Sequence, residues 1–110
     1  TIPMKESPLH NGCINWCKHQ IELGYTPSYV YYFNHRLPGD NSGAFHSCEL
    51  WYMFGTLDRC WRPFTDNDRH LSEKMLDYWC NFIKTGDPNG DELDEWTAWG
   101  IENRSVMLFE

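Results

Sequence analysis

Tyr29-Val30-Tyr31-Tyr32-Phe33 is the most informative run in the sequence. Five consecutive apolar or aromatic residues, three of them tyrosine, predict a strand buried on both faces. Such strands lie inside parallel or mixed sheets covered by helices on both sides, so the expected class is α/β. A turn-rich stretch follows, Leu37-Pro38-Gly39-Asp40-Asn41-Ser42-Gly43. After it comes Ala44-Phe45-His46-Ser47-Cys48-Glu49-Leu50-Trp51-Tyr52-Met53-Phe54-Gly55, which reads as a short helix stopped by Gly55. In α/β sheets the loops beyond the carboxyl ends of strands are where catalytic groups sit, which makes His46 a candidate, although a lone histidine is more often structural than catalytic.

Helices are predicted on either side of this segment. From Pro8 to Leu23, the residues Ile14, Trp16, Cys17, Ile21 and Leu23 are spaced for one broad apolar face, with Gly24 as the stop. The strongest helical signal runs from Asp66 to Lys84. Thr65 suits its N-cap, and Asp66 and Asp68 suit its positive first turn. Leu71, Met75, Tyr78 and Phe82, flanked by Leu76, Trp79 and Ile83, form a wide stripe, which Gly86 and Pro88 terminate. An acidic loop from Asp87 to Glu95 leads to Trp96, Trp99 and a final strand-like run, Val106 to Glu110. No repeat, low-complexity segment or internal domain boundary is expected.

Composition narrows the function classes. Nine Lys and Arg against 16 Asp and Glu leave a formal charge of −7 in 110 residues. That excludes a nucleic-acid partner bound by phosphate neutralisation, and a basic membrane-surface peptide. No apolar run approaches the ~18–20 residues of a membrane span, and no signal-peptide pattern opens the chain, so no membrane partner is expected. Five cysteines (Cys13, Cys17, Cys48, Cys60, Cys80) are an odd number without paired spacing. Free thiols in a reducing, cytoplasmic setting are the simpler reading. Secretion is the alternative, and the sequon Asn103-Arg104-Ser105 has meaning only there. Eighteen aromatic residues exceed what so small a core readily covers. With an opening Thr1-Ile2-Pro3 and an apolar carboxyl end, they leave two expectations, a tightly packed small domain or a portion of a larger one.

Several chemistries fail on spacing. Cys13-x3-Cys17-x-His19 has neither the turn spacing of a zinc knuckle nor a second ligand pair. His46-x-x-Glu49 lacks the second histidine of a zincin. His46 and Cys48, two residues apart, point away from each other and make a poor nucleophile–base pair. Gly39-Asp40-Asn41-Ser42-Gly43 has neither the lysine of a phosphate loop nor the G-x-S-x-G order of a serine nucleophile elbow. No metal or cofactor is implied.

Three blocks in order carry a resemblance. Ala44 to Gly55 resembles the catalytic-histidine block of type-B carboxylesterases, the cholinesterase-like branch of the α/β-hydrolases. Val30-Tyr31-Tyr32-Phe33 with Leu37-Pro38-Gly39 resembles the strand and loop that deliver that histidine. Tyr78-Trp79-Cys80-Asn81-Phe82-Ile83-Lys84-Thr85-Gly86-Asp87-Pro88-Asn89 is similar to the family segment W-x-x-F-x-x-T-G-[DN]-P, with Trp96 beyond it.

The resemblance implies that residues 1–110 are a C-terminal portion of an α/β-hydrolase domain, helices plus one or two strands of the central sheet, incomplete on its own. In this superfamily the triad runs Ser, then Asp or Glu, then His, so such a portion carries the histidine alone. His46 is then the general base, Glu49 a carboxylate beside it rather than the triad acid, and the substrate a small carboxylic ester. The nucleophile and acid lie upstream, and the isolated chain is expected to be inactive. Ser47 departs from the glycine that often follows the family histidine. Two alternatives remain: an aromatic-rich binding module built on Trp51, Trp61, Trp96 and Trp99, and a non-catalytic cholinesterase-like interaction domain.

Overall fold

A computed structural model describes residues 7–110. Its elements are α1 (Pro8–Glu22), β1 (Tyr31–Phe33), α2 (Leu50–Met53), a 3₁₀ turn (Leu57–Arg59), α3 (Asp66–Thr85) and β2 (Met107–Phe109). The described residues divide into two compact units, 7–32 with 96–108, and 33–95 with 109–110.

In the first unit, α1 begins where Ser7 caps it and Pro8 presets the first turn. The Ser7 hydroxyl accepts from His10 N–H at 3.4 Å. Leu23 ends the helix and Gly24 turns left-handed at φ 72°. The expected broad apolar face is only partly used. Cys17 is buried against Val30 and Trp99, with Ile14 and Val106 packed beside them. Trp16 and Leu23 stay exposed, because this unit is too small to cover a second row of α1. Trp96 is buried, edge-on to Tyr29 and Tyr31, and its indole N–H donates to the Val30 carbonyl at 3.1 Å.

β1 and β2 pair as a two-stranded sheet. Met107 N–H donates to Val30 O and Asn34 N–H to Phe109 O, so the pairing advances along both strands in the same, parallel sense. The expected strand over residues 29–33 is shorter and less buried than its composition suggested. Only Tyr31–Phe33 is strand, and all three residues are half-buried. A ladder lasts as long as its partner, and β2 is itself three residues long.

The second unit is built on α3. Its carboxyl end follows the expectation, with Gly86 left-handed at φ 80° and its N–H returned to Phe82 O. Met75 and Tyr78 are fully buried, whereas Phe82 and Ile83 face outward. α2 lies against α3, and Gly55 allows the approach. A Cβ on Gly55 would sit 2.7 Å from Leu76 Cδ1, and the residue is left-handed at φ 66°. The helix expected over 44–55 is thus one turn, Leu50–Met53, and the residues before it form a turn.

Candidate active site

His46 lies downstream of β1 and the Pro/Gly-rich loop, but on the turn that precedes α2 rather than inside the helix expected over 44–55. The turn is held by its own backbone: Phe45 N–H donates to Cys48 Sγ at 3.3 Å and Cys48 N–H to Phe45 O at 3.1 Å. Cys48 is almost wholly buried, and burial pushes its thiol above the ordinary range. A buried, protonated thiol is a packing group rather than a nucleophile. Ser47 adopts φ 67°, the left-handed region where glycine is favoured. The glycine common at this point in the resembling family therefore has a backbone reason, and Ser47 bears the strain.

The His46 imidazole is exposed and has no hydrogen-bond partner among the described residues. Glu49 is half-buried one turn on, and no hydrogen bond joins the two side chains among the described residues. What holds His46 in place is the anchoring of its loop. Leu37 N–H donates to Gly43 O at 3.2 Å, closing the Pro/Gly-rich stretch. Arg62 reaches in from beyond α2, donating to Pro38 O at 3.0 Å and to Asp40 Oδ1 at 2.8 Å. The same guanidinium lies over the Phe45 ring, 5.3 Å from its centroid. Its bond holds the Asp40 carboxyl down to about 2.

Sequence reasoning missed the polar node beneath this loop. Asp68 is 3% exposed, yet its carboxylate accepts four hydrogen bonds. Oδ2 takes the Thr65 N–H at 2.8 Å and the Thr65 hydroxyl at 3.0 Å, closing the amino end of α3. Oδ1 takes His35 Nε2 at 2.7 Å and the Tyr52 hydroxyl at 2.8 Å. Since an ionised carboxylate only accepts, His35 Nε2 carries the proton. Burial raises the carboxyl's pKa, but the bonds from Thr65, His35 and Tyr52 outweigh it, and Asp68 titrates below the ordinary range. Burial, and then the Asp68 carboxylate, push the Tyr52 phenol well above its ordinary value. The Thr65-x-x-Asp68 spacing signals the cap, but nothing local signals the bonds to His35 and Tyr52.

The aromatic platform of the binding-module reading divides. Trp96 and Trp99 are buried in the first unit, Trp51 is half-buried, and Trp61 is exposed. A cleft of about 520 Å³ lies in the first unit, with Lys18, Trp99 and Arg104 among its lining residues; neither His46 nor Glu49 lines it.

A parallel strand pair with helices before and between its strands is the makeup of part of an α/β domain, and the solved structures it resembles are α/β-hydrolase esterases. Residues 5–110 match the Carboxylesterase family, and the chain belongs to it. Acetylcholinesterase 1 of Caenorhabditis elegans is 39% identical over 89 residues, covering 74% of this chain. Carboxylesterase 4A of Bos taurus is 33% identical over 92 residues, also 74% of this chain. Among solved structures, a PNB esterase superposes with a TM-score of 0.74 at 28% identity over 88% of the chain. The carboxylesterase of Geobacillus stearothermophilus does so with 0.70 at 27% over 90%. The chain spans 14% and 16% of the two sequence relatives, and 20% and 21% of the two structures.

Proposed function

We propose that this chain contributes the triad histidine of a serine carboxylic-ester hydrolase, whose nucleophile and acid belong to sequence outside these 110 residues. The supporting observation is His46 itself, exposed and unpartnered among the described residues, on a turn anchored from both sides. In this role His46 takes the proton from a serine hydroxyl as its oxygen bonds to the ester carbonyl carbon. It returns that proton to the alkoxide as the carbon–oxygen bond of the leaving alcohol breaks. Water then repeats the cycle on the acyl-serine, releasing the acid. An imidazole suits both directions because its unperturbed pKa is near ~6.5. Glu49 acts as a nearby carboxylate that biases the field around the turn.

The partner is then the remainder of the same domain, and the substrate a small carboxylic ester. The short share of each relative that this chain spans supports that reading. So do the thirteen large apolar side chains left exposed among the described residues, Trp16, Phe54, Trp61 and Ile83 among them. Five free thiols favour a reducing, cytoplasmic setting.

In the longer protein, His46→Gln is expected to lower kcat on a p-nitrophenyl ester by at least roughly 10³-fold. The 110-residue chain alone is expected to give no His46-dependent turnover. Full activity of His46→Gln overturns the role. Turnover by the isolated chain overturns the need for the remainder.

A further inference from the structure

We propose that Asp68, acting through His35 and Tyr52, is a positioning device that sets where His46 points; the proposal rests on the reading of His46 as triad base. His35 and Tyr52 bracket the catalytic turn in sequence, one before the Pro/Gly-rich loop and one within α2. Both stems donate to the same oxygen, Oδ1, at 2.7 and 2.8 Å, so one buried carboxylate closes the base of the whole His46 segment.

Three features show that this bond pair exceeds what the helix needs. First, the carboxylate's share of the cap on α3 is carried by Oδ2, which accepts from the Thr65 N–H and hydroxyl, so the cap does not call on Oδ1. Second, the stems are fixed by more than the carboxylate. The Tyr52 ring lies between Phe33, His35 and Phe64 at centroid distances of 5.2, 5.5 and 5.8 Å, and its carbonyl accepts from Ser72 Oγ at 2.8 Å. The clamp thus has little freedom to drift. Third, the segment it closes contains Ser47 in the left-handed region, a strain that persists only where the surroundings over-determine the backbone. The loop that carries His46 runs from one stem to the other, so the stems fix where that loop leaves the fold. A misplacement of about 1 Å in such a base costs roughly 10²-fold in rate.

The test uses the longer protein, with functional sites counted by burst titration with a fluorophosphonate. His35→Leu and Tyr52→Phe each remove one donor to Oδ1 and leave the Thr65–Asp68 cap in place. Each is expected to lower kcat per titrated site about tenfold or more, with KM changed less than about twofold. His35→Gln, which keeps a donor at similar reach, is expected to recover most of the loss. Counting sites removes any unfolded fraction from the comparison. Unchanged kcat per site in both variants, with only a lowered Tm, overturns the proposal and leaves Asp68 a stabilising residue. A His46→Gln control that retains turnover instead overturns the reading on which the proposal rests, so the two failures are distinguishable.

Discussion

Ser47 follows His46 at φ 67°, where an L side chain costs roughly 1–2 kcal/mol relative to the right-handed helical region. Glycine relieves that cost but gives back about 0.5–1 kcal/mol in unfolded-chain entropy. Ser47→Gly is therefore expected to stabilise the protein by up to about 1 kcal/mol, and Ser47→Val to destabilise it by more than that, read from denaturant midpoints. A Ser47→Gly variant less stable than the parent contradicts the assigned backbone strain. At this scale the sequence was partly legible. His46 stood out because its block resembles a known one and because it follows a strand and a loop. His35 did not, because its partner is 33 positions away and a single distant hydrogen bond leaves no periodic trace.

Among the elements, α3 was the most legible, since its signals are local: Thr65 at one end, Gly86 and Pro88 at the other, and apolar spacing between. β1 was not, because composition marks a tendency to extend while the partner strand fixes the length. α1 kept its limits but not its buried face, since burial depends on what the rest of the fold supplies. Two predictions belong here. Gly55→Ala places a methyl group 2.7 Å from Leu76 Cδ1 at a left-handed position, and should destabilise by about 1–3 kcal/mol in chemical denaturation. An unchanged midpoint would mean that α2 and α3 yield at this contact. The second prediction concerns acid. The folded pKa of Asp68 lies below its unfolded value of about 3.9, so its stabilising contribution is complete above that pH and is lost as pH falls through the folded pKa. Asp68→Asn should be less stable than the parent at pH 7 and lose less on acidification below about pH 4. Parallel acid curves for the two proteins count against the hydrogen-bonded carboxylate.

For the molecule as a whole, the aromatic surplus seen in the composition has a structural counterpart. Trp16, Tyr25, Phe54, Trp61 and Ile83 all stay more than half exposed among the described residues. The relatives, by the shares of both lengths matched, are roughly four to five times as long as this chain, and apolar surface of this kind suits contact with further protein. The isolated chain is accordingly expected to self-associate and bind a hydrophobic dye, checked by sedimentation and dye fluorescence. A dye-silent monomer would contradict it. The central claim is that His46 draws the proton from a serine supplied by the rest of the domain. The most direct measurement is the rate at which a fluorophosphonate labels that serine in the longer protein, with and without His46→Gln. A loss of roughly 10³-fold or more in labelling rate, with folding intact, is the predicted result. Equal labelling rates in the two proteins would contradict the account.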